Sequence, residues 1–469
     1  MKGTLTPTRV VILGGGFGGV YTAMGLEHIW RGDDALQVTL VSRTNYFLMT
    51  PLLFEAGSGI LEPRHAVNPI RPLFKSTRFI EAQVTGVDVE RKLVSVASPR
   101  GEADEIAYDH LVLALGGVTN TKLIPGSEHG LTFKTLADAI FLRNHVIQLF
   151  EAADIETDPG RKAALLTFVL VGGGLVNVEL CGELTEFLMT LQKLYPRVSY
   201  SDVRVEMIEG EAFIAREFDE GLREYITGVL QRRGVNIRLN TRVKSIEPGA
   251  IHLPDGPPIR SETIVLGTGV VPNPLIASLP IEKNKKGQAV TDATMRCKGR
   301  QEMWALGDCA SIPDPSGHPY PMLAQHALRE ARLLAKNITA ALRGQAPEPF
   351  VYKTKGTLAS LGHFKGAGKV YKFAIRGFIA WWVWRTYYLM QMPHWNRRVR
   401  ILLDWTISLF FRNDIVQLDL FGAEHPRLRS IAGTAHADKA SNPASDTAPD
   451  KKVDYAPAGT PPATAPIIT

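Results

Sequence analysis

Cysteine is scarce in this 469-residue chain. The three cysteines are Cys181, Cys297 and Cys309, and no two of them have CxxC spacing. Neither a disulfide framework nor a metal site is therefore indicated, and we expect no bound metal. We expect all three cysteines to be buried as small apolar residues of a protein from a reducing compartment.

Long hydrophobic runs are also absent. The most apolar stretch, residues 377–384, ends at Arg385 and is far shorter than the roughly 18 residues that cross a bilayer. Residues 1–8 contain no apolar core of the length that a secretory signal needs. We expect neither a transmembrane helix nor a leader.

Excess charge of one sign is confined to one segment. The net charge is +6, and 45% apolar with 8% aromatic residues is an ordinary globular composition, which excludes a disordered protein. Residues 376–412 account for +5 of this charge through six arginines and one acid, Asp404. The arginines lie among Trp and Leu, away from any base-stacking motif, so no nucleic-acid partner is expected. They are Arg376, Arg385, Arg397, Arg398, Arg400 and Arg412.

A glycine-rich loop follows the first predicted strand. Apolar residues 10–13 lead into the loop, and a helical stretch then runs to about residue 30. This GxGxxG pattern is typical of a turn that holds a dinucleotide pyrophosphate against a helix N-terminus. The second strand, residues 38–41, is followed by a serine where a ribose-binding acid is usual. The predicted cofactor contacts are Gly14, Gly16, Phe17, Gly18, Gly19, Ser42 and Arg43.

A second glycine loop follows the strand at residues 168–171. Gly172 and Gly174 are its predicted cofactor contacts, and Asn177 replaces the third glycine, which should crowd the helix against the strand. Glu209 ends the next strand, in the position that bonds a ribose 2′-hydroxyl and repels a 2′-phosphate. NADH is therefore favoured over NADPH. The alternative is a solvated glutamate at a strand end.

The duplication extends beyond the glycines. Residues 78–96 and 236–253 both suggest paired short strands, and each is followed by a buried strand that contributes a glycine, Gly116 or Gly269. We predict an α/β fold of two tandem Rossmann-like dinucleotide-binding domains with a C-terminal α-helical membrane or dimer region. Two nucleotides on one chain indicate that electrons pass between them, one nucleotide being a tightly held flavin and the other a dissociable nicotinamide, NADH/NAD. One functional site with a degenerate partner is the alternative.

The chain resembles the FAD-dependent reductases with two dinucleotide folds, in which an aspartate placed like Asp308 contacts FAD. Within these it is most similar to the type II NADH dehydrogenases, the single-subunit, non-pumping NADH:quinone oxidoreductases. It differs from their quinone-side pattern at Arg329 and Ala331, and it has no redox cysteine pair. The resemblance covers about residues 9–420 and rests on residues 45–46, 51–55, 172–174, 178–180, 307–308 and 324–327.

The resemblance implies hydride transfer from NADH to flavin N5, followed by two-electron reduction of a membrane quinone. It implies two catalytic residues: Glu179, which orients NADH or relays a proton, and Gln325, which contacts flavin or acceptor. The alternative for Glu179 is an acid stabilised by the dipole at a helix N-terminus, and the alternative for Gln325 is a solvent-facing helix cap. Ala324 opens a helix directed at the flavin, and Arg329, one turn on, faces the acceptor or forms a surface salt bridge.

The expected domains are residues 1–130 with 271–345 for FAD, 131–270 for NADH, 346–425 for the C-terminal region and 426–469 for a disordered tail. Two helices, at about 377–392 and 397–412, suggest that residues 376–412 bind a membrane surface. We therefore expect a peripheral homodimer on the cytoplasmic face of the inner or plasma membrane. The alternative for these helices is a dimer interface or packed cap. The functional alternatives are a reductase with a non-quinone acceptor and a slow flavoprotein with a signalling or scaffold role.

Overall fold

The computed structural model describes residues 7–354, 356–411 and 414–418, and residues up to Gln417 belong to one unit. The helices are α1 (Phe17–Ile29), α2 (Leu53–Gly57), α3 (Leu136–Ile155), α4 (Pro159–Leu165), α5 (Leu175–Gln192), α6 (Glu220–Arg232), α7 (Leu275–Ser278), α8 (Ala324–Leu342), α9 (Gly377–Gln391) and α10 (Trp395–Ile407). The strands are β1 (Thr8–Leu13), β2 (Leu36–Ser42), β3 (Tyr46–Leu48), β4 (Val67–Pro69), β5 (Arg78–Glu81), β6 (Gln83–Asp88), β7 (Leu93–Ala97), β8 (Ala103–Ala107), β9 (His110–Leu113), β10 (Gly117–Thr119), β11 (Leu131–Thr132), β12 (Thr167–Val171), β13 (Arg204–Ile208), β14 (Val235–Arg238), β15 (Ser245–Glu247), β16 (Ala250–His252), β17 (Ile259–Arg260), β18 (Thr263–Leu266), β19 (Val270–Pro272), β20 (Ala289–Val290), β21 (Met303–Ala305), β22 (Ala310–Ser311), β23 (Gly356–Ser360), β24 (Gly366–Val370) and β25 (Phe373–Arg376).

Two five-stranded parallel sheets form the framework. The first has the order β21-β9-β1-β2-β5 and the second the order β11-β18-β12-β13-β14. The central strands β1 and β12 are apolar and almost wholly buried, as expected for parallel strands covered on both faces. The predicted α/β fold with two dinucleotide-type sheets is confirmed.

The first sheet is assembled from two separate parts of the chain. β21 joins it after the chain has left the second sheet, whereas all strands of the second sheet lie between β11 and β18. The antiparallel pair β10–β19 lies where the chain passes between the sheets.

The paired short strands predicted at residues 78–96 and 236–253 are confirmed, since β6 pairs with β7 and β15 with β16. The first strand of each segment, β5 or β14, is instead an outer strand of a parallel sheet, and β8 and β17 complete the antiparallel sheets. The physical reason is visible in β5, where Phe79 pairs with Leu40 and extends the apolar sheet surface.

The C-terminal region is not wholly helical, because the antiparallel sheet β23-β24-β25 precedes α9 and α10. α9 ends just before Pro393, as predicted. α10 begins two residues before the predicted start and ends at Ile407. Beyond that end, the Ser408 hydroxyl bonds the carbonyl of Trp405 and competes with further helix.

No helix in the described part of the chain is long and apolar enough to cross a membrane. Arg412 and the tail at 426–469, which was predicted to be disordered, lie outside the described residues.

Candidate functional site

The first glycine loop joins β1 to α1. A Cβ atom at Gly19 would overlap the carbonyl oxygen of Gly14, so the loop can close only on a glycine here. Gly14 has φ +118°, a backbone angle that residues with a side chain rarely adopt. At Gly16 a Cβ would meet nothing within 4 Å, because the residue faces open space in front of α1. This cradle fits the pyrophosphate of the predicted FAD.

The side chains around this loop are packed. The ring of Phe17 lies edge-on to Phe47 at 4.9 Å, and Gly18 packs against Leu306. A Cβ at Gly15 would overlap Ser42, which is buried at the end of β2. Arg43, on the loop beyond, is exposed.

The second glycine loop joins β12 to α5 and repeats this geometry. Gly172 has φ +98°, and a Cβ at Gly174 would again meet nothing within 4 Å. The carboxylate of Glu209 accepts hydrogen bonds from the backbone N–H groups of Gly173 and Glu211. Glu209 therefore lies against the loop at the strand end, where the sequence predicts a ribose contact.

Asn177 does not crowd the helix against the strand, contrary to the sequence expectation. Its Nδ2 donates to the carbonyl oxygens of Val171 and Gly172, both at 2.9 Å. A Cβ at Gly267 would overlap the Asn177 side chain, so this glycine provides the room that the asparagine occupies.

Gly116 and Gly269 lie on two crossing connections between the sheets. Both have positive φ, +64° and +88°. Gly269 accepts a hydrogen bond from Asn120 N, and Gly116 accepts one from Asn273 N, each at 3.0 Å. The two connections therefore hold each other in place, while a Cβ at either glycine would meet only open space.

Asp308 lies in a short turn between the first glycine loop and the start of α8. Gly307 N donates to the Glu330 carboxylate on α8 at 2.8 Å, and Lys134 Nζ lies 3.8 Å from the Asp308 carboxylate. Burial raises the pKa of Asp308 and lowers that of Lys134. It also raises the pKa of Glu330 to about 7. Sequence analysis found Asp308 but missed Glu330 and Lys134.

α1 and α8 run side by side in the same direction. Gly25 of α1 meets Ala335 of α8 so closely that a Cβ at Gly25 would come within 2.7 Å, and Trp30 Nε1 donates to Thr339 Oγ1 one turn further along both helices. Both helices begin without a side-chain cap and without an acid in the first turn. Their positive ends and Asp308 thus meet beside the first glycine loop, and Ala324 opens α8 there.

Glu179 is buried in the second turn of α5. One carboxylate oxygen accepts hydrogen bonds from Ser360 N and Trp384 Nε1, both at 2.9 Å. Burial raises the pKa of Glu179 to about 8. Because α5 has no acid in its first turn, Glu179 is not the dipole-stabilised acid of the alternative interpretation.

Gln325 lies near the opposite end of β23 from Glu179. Its Nε2 is 3.4 Å from the carbonyl oxygen of Gly356, and its Oε1 is 3.5 Å from Tyr352 Oη. Arg329 donates to the backbone oxygen of Gln325 at 2.8 Å, and its guanidinium lies 4.4 Å from the centre of the Tyr352 ring. Arg329 therefore supports the start of α8 rather than pairing with a carboxylate there.

Glu55 and Arg385 form a buried ion pair that sequence analysis missed. Arg385 donates to Glu55 Oε1 through Nε at 2.9 Å and Nη2 at 2.8 Å, and Trp405 Nε1 donates to Glu55 Oε2 at 2.6 Å. The Arg385 guanidinium also stacks on Trp381 at 4.1 Å and on Trp405 at 4.7 Å. Arg385 was predicted as part of a basic surface segment, and that assignment is wrong.

The three cysteines are free and buried, as predicted. Burial raises the pKa of Cys181 and of Cys309 to about 12, and that of Cys297 further. Among the described residues, no group of three or more His, Cys, Asp or Glu side chains could hold a metal ion.

Comparisons with known proteins cover nearly all of the described chain. The model of the pyridine nucleotide-disulphide oxidoreductase family matches residues 8–331, and the model of the NDH2 C-terminal domain matches residues 354–414. A probable NADH dehydrogenase of Dictyostelium discoideum is 31% identical over 87% of this chain and 90% of that protein. The type II NADH:quinone oxidoreductase Ndh of Mycobacterium tuberculosis is 28% identical over 91% of this chain and 94% of its own length. The structure of NDH2 from Plasmodium falciparum in complex with NADH superposes with a TM-score of 0.82 at 19% identity, covering 88% of this chain and 100% of that one.

Proposed function

The chain belongs to the pyridine nucleotide-disulphide oxidoreductases and, within them, to the type II NADH dehydrogenases, and we propose on this basis that its two nucleotide loops serve one reaction. That reaction is the oxidation of NADH by a quinone through FAD, without proton pumping. The observation that carries the proposal is the meeting of the first glycine loop, Asp308 and the start of α8. FAD, when bound, supplies the two-electron chemistry of hydride acceptance and quinone reduction.

The cofactors are assigned to the two parts of the chain as the sequence predicted. Residues 1–130 and 271–345 hold FAD, with the pyrophosphate at Gly14–Gly19 and the remaining contacts at Ser42, Arg43, Gly116, Asp308 and Ala324. The joining of β21 to the first sheet supports this discontinuous domain. Residues 131–270 hold NADH at Gly172, Gly174, Glu209 and Gly269. The Glu209 carboxylate supports NADH over NADPH, because it would repel a 2′-phosphate.

Glu179 and Gln325 are the proposed catalytic residues. They lie near the two ends of β23, and each approaches the backbone of that strand. The raised pKa of Glu179 supports a carboxyl group that carries a proton at neutral pH. Gln325, in the first turn of α8, orients the acceptor or the flavin through its amide.

The C-terminal region, residues 346–425, is proposed to dock on a membrane through the 376–412 segment. Exposed bulky apolar side chains cover the outer faces of α9 and α10 and the residues that follow, and such a patch is unusual for a protein surface in water. Arg397 and Arg400 adjoin this face and can bind lipid phosphates. The exposed side chains are Phe378, Ile379, Trp382, Met390, Trp395, Val399, Leu402, Leu403, Ile407, Leu409, Phe410 and Phe411.

The same patch supports a homodimer, since part of it can be covered by a second copy. We propose a peripheral protein on the cytoplasmic face of the inner or plasma membrane, where a lipid quinone reaches the flavin without crossing water.

Stopped-flow absorbance tests the proposed reaction. NADH should bleach the bound flavin rapidly, NADPH should do so more slowly, and a short-chain quinone should restore the flavin absorbance faster when liposomes are present. Bleaching without reoxidation by quinone would instead identify a reductase with another acceptor. Turnover below about one per second with every acceptor, against typical enzyme rates of about 10 per second, would favour a signalling or scaffold role.

A further inference from the structure

A row of polar side chains runs along one face of α5, a helix that is otherwise largely apolar and buried. The row consists of Glu179, Glu183, Glu186 and Thr190. Their spacing of four, three and four residues places them one above another on a helix, over a length of about 16 Å. Glu179 and Glu183 are buried, whereas Glu186 and Thr190 reach the protein surface.

The outer end of this row opens into a polar cavity of about 160 Å³. Glu186 and Thr190 form one wall, and His363, Ser408 and Ile60 form the rest. Water needs about 30 Å³ per molecule in the liquid, so the cavity has room for several molecules between the surface and Glu186. The inner end of the row is Glu179, which is assigned above to the catalytic site.

Ser360 connects the two buried carboxyl groups. Its hydroxyl donates to Glu183 Oε1 at 3.0 Å, and its backbone N–H donates to Glu179 Oε1 at 2.9 Å. The second oxygen of Glu183, Oε2, is buried and has no hydrogen-bond partner in the described part of the chain. An unpartnered buried carboxyl oxygen costs free energy on folding, so its presence on Glu183 calls for an explanation.

Neither of the two nearby arginines forms an ion pair with Glu183. Arg385 is engaged by Glu55, and Arg233 bonds Glu186 at 3.3 Å and the carbonyl oxygens of Gly182 and Leu361. Burial, together with the neighbouring carboxylates, raises the pKa of Glu183 to about 8. The titratable or charged groups that face Glu183 from the surrounding elements are Glu55 on α2, Glu179 and Glu186 on α5 and Arg385 on α9. Arg233 after α6 and His363 after β23 contact Glu186.

We propose that Glu183, held by Ser360, relays protons along α5 from the cavity at Glu186 to Glu179. The inference rests on the function proposed above and adds the route by which a proton reaches the site. When Glu179 has given up its proton to the quinone being reduced, the O–H bond at Glu183 breaks and a new one forms at Glu179. The Glu183 carboxylate is then reprotonated from solvent by way of Glu186 and the water of the cavity. No electrons move in either step, and the net co-reactant is one proton from solvent.

Two variants interrupt the row without removing Glu179. Glu183→Gln keeps the shape of a protonated carboxyl group but cannot pass a proton on. Ser360→Ala removes the hydroxyl and leaves the backbone N–H that binds Glu179. The matched control is Ser261→Ala, another buried serine, whose hydroxyl donates to the carbonyl oxygen of Thr167 in the second sheet.

Stopped-flow measurements on the FAD-loaded protein should show unchanged flavin bleaching by NADH in all three variants. Reoxidation by quinone should slow at least about tenfold in the Glu183→Gln and Ser360→Ala variants and be unchanged in Ser261→Ala. Added imidazole, a small proton carrier, should partly restore the rate of Glu183→Gln. Equal slowing of both half-reactions, or wild-type reoxidation in both variants, would overturn the relay.

Infrared spectroscopy gives a readout that does not depend on turnover. A pH-difference spectrum between about pH 6 and about pH 10 should contain protonated-carboxyl bands of Glu179, Glu183 and Glu330 that titrate and shift in D₂O. One of these bands should be lost in Glu183→Gln, and the same band should move in Ser360→Ala, because the hydroxyl hydrogen bond is gone. A spectrum without a band assignable to Glu183 would refute the relay. Failure of the wild type to oxidise NADH would instead refute the proposed function and leave this band readable.

Discussion

Arg385 shows how much a single side chain depends on its surroundings. It is 5% exposed, is held between two tryptophan rings and is bonded twice to Glu55. Removing one partner of a buried ion pair leaves the other charge uncompensated, and this costs far more than loss of a surface pair.

We expect Arg385→Met to lower the free energy of unfolding by about 3 kcal/mol at neutral pH, as measured by urea titration. The double variant Glu55→Gln/Arg385→Met should recover part of this loss, because no charge is then stranded. Arg91→Met, which breaks the exposed pair with Glu105 at 3.9 Å, is the control and should cost less than about 1 kcal/mol. Equal losses in the single variants would show that the buried pair is not the cause.

At the scale of elements, the contact of α5 with the second sheet depends on one complementary pair. Asn177 replaces a glycine of the usual loop pattern, and Gly267 of the opposing strand end provides the space for it. The predicted crowding therefore does not occur.

Gly267→Ala should lower the free energy of unfolding by about 1–3 kcal/mol, because its Cβ would overlap the Asn177 side chain. Adding Asn177→Gly should relieve most of this loss, and thermal unfolding of the single and double variants would measure it. Gly228→Ala in the middle of α6, where the nearest group is a flexible arginine, should be neutral or slightly stabilising. A double variant no more stable than Gly267→Ala would contradict the proposed pairing.

α10 divides its apolar residues between two environments. Ile401 and Trp405 are buried, while Leu402 and Leu403 are about half exposed on the opposite side, at 47% and 56%. Leu402 and Leu403 are thus presented on the outer face of the helix.

Leu402→Ser/Leu403→Ser should weaken sedimentation with anionic lipid vesicles roughly tenfold without changing the unfolding temperature. The reason is that these side chains are buried by lipid in the bound state and are not buried inside the protein. Leu123→Ser/Ile155→Ser removes two apolar side chains that are more exposed and lie outside the C-terminal region, and it should leave binding unchanged. Unaltered sedimentation of the α10 variant would argue for a dimer contact at this face instead.

For the whole molecule, the buried carboxyl groups make stability depend on pH. Glu179 and Glu183 have pKa values raised to about 8 and Glu330 to about 7, so the folded state binds more protons than the unfolded state above about pH 4.5. The buried His145 and His326, with pKa values lowered to about 4, oppose this effect only below about pH 6.5.

The free energy of unfolding should therefore fall as pH rises from about 6.5 to about 8, by at most about 1.4 kcal/mol per pH unit for each group. Above about pH 8.5 the three buried cysteines, whose pKa values are also raised, should extend the fall. Urea titrations across this range would measure the fall. Glu183→Gln should show a shallower decline than the wild type over the same window. Parallel curves for the two proteins would mean that Glu183 is ionised in the folded state throughout.

The repeating architecture could be predicted from the sequence, because glycine loops, strand periodicity and helix starts are local patterns. Gly14, Gly172 and the helix that opens at Ala324 are all found where those patterns predict them. Contacts between distant residues became visible only in the folded molecule. Glu55 and Arg385 lie 330 positions apart, and Ser360 lies 181 positions from Glu179, so no local signal pairs them. Burial, which sets the charge state of these groups, is likewise a property of the packed molecule, since the same residue types are ordinary surface charges in an isolated helix.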